Sequence, residues 1–317
     1  MQPSGELHLG NLEATLKNWV RLQNDYNMYC CIVDWHSLTG DYERTELLKE
    51  RIFNVAVDYL AAGLDPEKCA IFIQSDVKEH AELHLLFSMM ITVPTLTRLP
   101  TYAEKKEEKG LDSYGFLGYP VLQAADICVY NADRVPVGKD QEKHIWLAAD
   151  LAKRFNTLYG ETLVEPQALF NETPIIPGID GRKMSKSYGN EIAIGNTDKE
   201  TTDKIKKMFT DPQKLRKNDP GRPEICPVFH LHKIYTPDYN AIVAPCESGA
   251  LGCVECKGKL AANLNNSLAP IREKRVVVEN NKDYIWDVLR NGGQRAQLRA
   301  AEVMAKVRSA MKMDYYK

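Results

Sequence analysis

YCCIVDW at residues 29–35 and CAIFIQS at residues 69–75 are short unbroken apolar runs, with ERTELLKERIFNVAVDYLAAGLD (43–65) between them. A strand covered on both faces carries such a run, because neither side of it meets water. The intervening segment reads as a long helix ending at Gly63. A strand, a helix and a strand joined by short connections form the unit of a parallel sheet.

The pattern extends in both directions. Before it, NLEATLKNWVRLQN (11–24) places Leu12, Leu16, Trp19 and Val20 on one helical face. After it, YPVLQAADICVY (119–130) reads as a helix running toward a turn at Asn131, and RVPVG (134–138) as a strand. DQEKHIWLAADLAKRFN (140–156) reads as a helix entered through an acidic cap. A Rossmann-like, doubly wound parallel α/β domain over residues 1–195 is expected. From about residue 196 lysine-rich helical stretches replace the β pattern, a Pro- and Cys-bearing insert follows at 219–258, and two helices close the chain. The last carries Arg295, Arg299, Lys306, Arg308 and Lys312 against one acid, Glu302.

A chain of 317 residues predicts two domains, and 44% hydrophobic residues is ordinary for a globular protein. No apolar run reaches membrane-spanning length and MQPSGELHLG is no signal peptide, so the cytoplasm is expected. With a net charge of −2 and a pI of about 6.4, a nucleic-acid partner would have to be met by a local basic patch. Cys30, Cys31, Cys69 and Cys128 lie in apolar stretches and read as buried inert thiols. Cys226, Cys246, Cys253 and Cys256 crowd a polar segment, where clustering suggests metal binding before disulfides.

Two motifs carry chemistry. Lys183-Met184-Ser185-Lys186-Ser187 follows Gly178, Asp180 and Gly181. Two lysines on a glycine-flanked loop can follow a pyrophosphate as charge develops on it. Average residue frequencies put a chance match to such a pentapeptide at roughly one in ten thousand. Pro3-Ser4-Gly5-x-x-His8-x-Gly10-Asn11 opens directly into the first helix. Its glycines let backbone approach a nucleotide, and the helix start offers free N–H groups to phosphate.

Together these motifs resemble the class I aminoacyl-tRNA synthetases, with HLGN standing for the HIGH element beside a literal KMSKS. QPSGxxHxGN (2–11), CIVDWHSLTG (31–40), YPVLQAADI (119–127), VPVGKDQEKH (135–144) and GRKMSKS (181–187) resemble the tryptophanyl-tRNA synthetase family, in its order, strongly over residues 2–210. The resemblance implies a catalytic domain (1–195) with a dimer-forming insertion at about 76–118, a helical anticodon-binding domain (196–317), a homodimer, and L-tryptophan, ATP with Mg²⁺, and tRNA(Trp) as ligands. It makes Asp126 the acceptor of the indole N–H. Tyr119 and Gln141 would hold the α-ammonium, with His36, Val135 and Val137 as pocket walls. It assigns ATP to Gln2, Pro3, Ser4, Gly10, Asn11, the turn Gly138-Lys139-Asp140, Ile175, and the loop residues Lys183, Met184, Ser185, Lys186 and Ser187. His8, Asn11, Lys105, Lys183 and Lys186 would serve catalysis. Family members also have a short strand before the QPSG turn, so an incomplete start is expected here.

The four cysteines follow C-x19-C-x6-C-x2-C. Only Cys253–Cys256 fits a zinc knuckle; uneven spacing is compatible with a [4Fe–4S] cluster, and some bacterial members of the family carry a similar pattern. Iron–sulfur ranks first, zinc second and unligated cysteines third. Competing functional readings are a tyrosyl-tRNA synthetase, a regulatory RNA-binding paralogue, and a small nucleotidyltransferase of the same superfamily.

Overall fold

The computed structural model describes residues 1–99, 102, 112–170 and 175–316. Lys105 and part of the expected dimer-forming insertion lie outside the described residues.

The chain enters through an extended turn into α1 (residues 9–22), whose middle, Leu12–Leu16, is a π-helical turn. Then come β1 (Met28–Ile32), α2 (Asp34–Asp41), α3 (Leu48–Ala62) and β2 (Cys69–Ile73). β1 and β2 pair in parallel, with Met28 opposite Cys69 and Ile32 opposite Ile73, so the expected β-α-β unit is present. β2 is buried along nearly its whole length, which accounts for its unbroken apolar run. α3 ends where Gly63 adopts φ 112°, a left-handed cap open to glycine.

α4 (Glu79–Ser88), α5 (Val93–Thr97) and α6 (Tyr114–Cys128) follow. A second parallel pair joins β3 (Arg134–Val137) to β4 (Gln167–Phe170) around α7 (Glu142–Tyr159). β4 was not legible in the sequence, because QALF is short and half exposed. Among the described residues the two pairs are not hydrogen-bonded to each other. The α-ammonium group of Met1 donates to the Cys31 carbonyl at 2.5 Å, and Val33 N–H donates to the Met1 carbonyl at 3.0 Å.

The second half is helical, as expected: α8 (Asp198–Lys207), α9 (Pro227–Tyr235), α10 (Asn240–Glu247), α11 (Cys253–Glu279) and α12 (Lys282–Ala310). These helices share cores with the sheet. α11 contributes Leu260, Leu264 and Leu268 to the core beneath β1 and α3. α12 contributes Ala296, Ala300, Val303 and Met304 to the core over β2, α6 and α7.

α12 reaches β2 through a glycine. A Cβ on Gly292 would stand 2.0 Å from the Ile71 carbonyl oxygen, whereas one on Gly293 would meet Asp76 at an ordinary 3.5 Å. A clash with backbone cannot be relieved by turning a side chain. Gly292→Ala is therefore expected to lose about 1–3 kcal/mol or more in urea unfolding. Gly293→Ala should be neutral or gain up to about 1 kcal/mol from helix propensity. Equal stability of the two variants would contradict this packing.

Candidate active site

Two loops meet first. Leu9 N–H donates to the Ile192 carbonyl (3.0 Å) and Ile194 N–H to the Leu7 carbonyl (2.9 Å), so the His8 turn lies against the chain leaving the KMSKS loop. His8 is buried; its own N–H donates to Asn11 Oδ1 at 3.1 Å, which closes the turn onto α1. Gly10 is required here, since a Cβ would stand 2.9 Å from the His8 ring. Burial, reinforced by the positive charges of Lys186 and Lys183, lowers the His8 pKa to about 4. At neutral pH this ring is therefore a neutral imidazole.

The KMSKS loop is anchored from below. Met184 is buried near Gly10, and its N–H donates to the Ile176 carbonyl at 2.9 Å. Ile175, expected in the nucleotide site, is exposed one residue earlier. Asn190 ties the loop together: its Oδ1 accepts from Ser185 N–H (2.8 Å), and its Nδ2 donates to Asp180 Oδ1 (2.7 Å) and the Lys183 carbonyl (3.2 Å). A Cβ on Gly178 would stand 2.4 Å from the Asn190 side chain. Asn190 escaped the sequence reading because nothing local distinguishes it from a surface asparagine.

The two lysines reach opposite walls. Lys186 Nζ donates to the Gly5 carbonyl at 2.7 Å and lies 3.5 Å from Ser4 Oγ. Lys183 Nζ reaches Asp140 Oδ2 at 3.4 Å, in the exposed turn Gly138-Lys139-Asp140. Burial lowers the Lys186 pKa to about 8, although Asp58, Glu191 and Glu6 oppose the shift. Gln141 Nε2 also points to Asp140 Oδ2, at 3.4 Å. Ser187 is exposed, and its N–H donates to Ser185 Oγ.

From the His8 turn the site runs inward. Gln2 Nε2 donates to the His36 carbonyl at 3.5 Å, and Pro3 is buried beside it in sequence. His36 Nε2 lies 2.8 Å from Asp126 Oδ2, and Tyr119 meets the His36 ring edge-on with centroids 6.4 Å apart. Asp126 also receives Gln74 Nε2 at 2.7 Å and His80 Nδ1 at 2.6 Å, both on Oδ1. Burial alone would raise the pKa of this carboxyl. Electrostatic attraction and hydrogen bonds from the His36 and His80 imidazoles more than offset burial and hold it well below the usual carboxylate range. Asp126 opens onto a cavity of about 490 Å³ between β1 and β3, lined also by Tyr29, Cys31, Tyr130 and Val135. Val137 packs at the edge of the adjoining core. Of the residues expected around an amino acid, Asp126 and Val135 line this cavity, while His36, Tyr119, Gln141 and Val137 do not. Gln74 and His80 were missed in the sequence, since their roles exist only across the fold.

Away from this crevice, Cys226, Cys246, Cys253 and Cys256 line one small cavity with Lys214 and Arg222. Cys226 precedes α9 as its N-cap, and the backbone N–H groups of Phe229, Val228 and Asp211 are directed at its sulfur. Cys253 and Cys256 lie in the first turn of α11. Gly221 makes room for Cys246, since a Cβ there would stand 2.5 Å from its Sγ. Burial raises the Cys226 and Cys246 thiols and pushes Cys256 up to about 12. Among the described residues, no three His, Cys, Asp or Glu side chains converge tightly enough to hold a single metal ion.

Comparison with known proteins points to one family. The family model for class I tRNA synthetases (W and Y) matches residues 1–269. The tryptophan–tRNA ligase of Thermotoga maritima is 46% identical, covering 99% of this chain and 98% of that one. That of Aquifex aeolicus is 42% identical over 99% and 98%. The crystal structure of tryptophanyl-tRNA synthetase from Campylobacter jejuni complexed with ADP and tryptophan superposes with a TM-score of 0.88 at 34% identity, covering 98% of each chain.

Proposed function

Given that the chain belongs to the class I tRNA synthetases of the tryptophan and tyrosine branch, we propose that it acts as a tryptophan–tRNA ligase through the crevice just described. The observation that carries this reading is a continuous line of contacts. It runs from Lys186, across Gly5, Ser4 and Gln2, to His36 and Asp126, with Lys183 facing Asp140 on the opposite wall. One end is cationic and loop-borne, suited to a triphosphate. The other is a largely buried carboxylate beside the His36 and Tyr119 rings, suited to a flat ring bearing an N–H.

The tryptophan carboxylate attacks the α-phosphorus of ATP. The bond to the β-phosphate oxygen breaks, pyrophosphate leaves, and tryptophanyl-adenylate forms. A tRNA 3′-ribose hydroxyl then attacks the adenylate carbonyl and releases AMP. No protein nucleophile is needed, because alignment and charge stabilisation lower the barrier. Lys183 and Lys186 meet the departing pyrophosphate, and His8 donates to a phosphate oxygen as a neutral ring. Asn11 acts through His8, whose turn it closes. The turn Gly138-Lys139-Asp140 faces the ribose, Tyr119 and Gln141 face the amino-acid backbone, and Mg²⁺ travels with the phosphates. A phenylalanine ring would leave Asp126 unpaired, and this mismatch is the source of selectivity.

The cysteine site supports a [4Fe–4S] cluster ahead of zinc. In a cubane each thiolate bonds a different iron, a demand met by thiols ranged around a cavity; one zinc ion needs four donors converging on a point. Cys226, Cys246, Cys253 and Cys256 would hold the cluster, which would supply a rigid centre joining α9, α10 and α11. A homodimer fits the exposed apolar residues Leu85, Met89 and Val93 on α4 and its continuation, with Tyr114 and Trp146 on neighbouring helices.

Tryptophan-dependent ATP–pyrophosphate exchange tests the assignment; exchange driven by tyrosine instead would refute it. kcat/KM for ATP reports the free enzyme, in which Lys186 is charged below about pH 8. The value should fall roughly tenfold per pH unit above that point, and Lys186→Arg should move the fall to higher pH. For the cysteines, aerobically sensitive brown protein with absorbance in the visible blue is expected. Cys253→Ser should lose the colour while largely keeping exchange; abolished exchange in a folded variant would give the cluster a catalytic role. Sedimentation should give twice the chain mass, reduced to one by Met89→Asp; a wild-type monomer at micromolar concentration would remove the dimer.

A further inference from the structure

The two oxygens of Asp126 are not equivalent. Oδ1 accepts from Gln74 Nε2 at 2.7 Å and from His80 Nδ1 at 2.6 Å, whereas Oδ2 has, among the described residues, only His36 Nε2, at 2.8 Å. Gln74 and His80 are both fully buried, at 0% exposure. The other ring nitrogen of His80 lies 2.7 Å from the Tyr130 hydroxyl. An ionised carboxylate can only accept, so the His80 nitrogen facing it carries a proton. With the ring neutral, Nε2 is then an acceptor, and the hydroxyl of Tyr130 donates to it. A directed chain therefore runs from Tyr130 through His80 to Oδ1.

Each member of this chain sits on a rigid element. Gln74 follows β2 directly, His80 lies in the first turn of α4, and Tyr130 stacks on Tyr29 with ring centroids 4.5 Å apart. A carboxylate oxygen offers two in-plane lone pairs. Both on Oδ1 are taken, and one on Oδ2 is left. Rotation about the Asp126 Cβ–Cγ bond would break two buried hydrogen bonds, and burial makes that costly.

We propose that His80 and Gln74 are positioning residues for tryptophan recognition: by occupying Oδ1 they lock the carboxylate so that Oδ2 alone receives the indole N–H. Tyr130 fixes the His80 tautomer and so sets the direction of the chain. The inference rests on the reading of Asp126 as the indole acceptor. A merely structural histidine would stabilise the fold without affecting which amino acid is chosen.

The test compares pyrophosphate exchange driven by tryptophan with exchange driven by benzothienylalanine, in which sulfur replaces the indole N–H at nearly constant shape. The ratio of the two kcat/KM values isolates the N–H contact. In His80→Leu the ratio should fall roughly tenfold or more, the worth of a hydrogen bond to a charged group. His80→Asn, whose amide can donate from near the Nδ1 position, should restore most of it. Tyr130→Phe should lower it a few-fold, and it carries the test should His80→Leu not fold. Equal losses for both substrates in His80→Leu, or an unchanged ratio in Tyr130→Phe, would overturn the inference. Asp126→Ala separates the two layers. A ratio that collapses there but stands in His80→Leu sinks the positioning role alone. A ratio unmoved in Asp126→Ala sinks the reading of Asp126, and the inference with it.

Discussion

Asp58 is a carboxylate with no exposure, and the arrangement of the molecule depends on its two partners. It accepts from Leu7 N–H at 3.1 Å and from Arg275 Nε at 3.0 Å. Leu7 begins the His8 turn, Asp58 lies on α3 between the first two strands, and Arg275 belongs to α11. One buried group thus joins the His8 turn, α3 and the helical half. Burial raises its pKa to about 6, against the pull of Arg275 and the Leu7 N–H. Burying a charge is expensive unless it is paired and hydrogen-bonded, and removing either partner leaves the other stranded. The helical half is in this way a structural condition for the shape of the His8 turn.

The same logic recurs at a smaller scale. Asn190 closes the KMSKS loop from within, and Gly178 leaves the space for it. Asp126 is held from behind by Gln74 and His80. In each case a part of the proposed site is oriented by a buried polar side chain behind it, which is how a site keeps its geometry in a ligand's absence. The reactive loops are short and exposed; the groups that aim them are not.

What the sequence made legible were features carried by local pattern. The apolar runs at 29–35 and 69–75 are β1 and β2, and the segment at 43–65 contains α3. The QPSG and KMSKS motifs are adjacent in space, as their chemistry requires. Helix limits moved by a few residues, because capping by neighbouring backbone outweighs periodicity at the ends. Features that arise from pairing across long separations were not legible. His80 and Asp126 are 46 residues apart, Gln74 and Asp126 are 52, and Asp58 and Arg275 are 217. A histidine or glutamine in an apolar stretch carries no mark of the partner it will meet. The four cysteines fall between these cases: their spacing announced a cluster, and their gathering around one cavity required the fold.

The unequal tethering of the two KMSKS lysines has a mechanical consequence. Lys183 and Asp140 are both mostly solvent-exposed, at 63% and 60%, and a contact of that kind holds with at most about 1 kcal/mol. Lys186, partly buried, is fastened to a backbone carbonyl at 2.7 Å. The segment therefore behaves as a latch with a firm pivot at one end and a loose tongue at the other. Little energy is needed to lift the tongue, while the pivot holds the second cation in place.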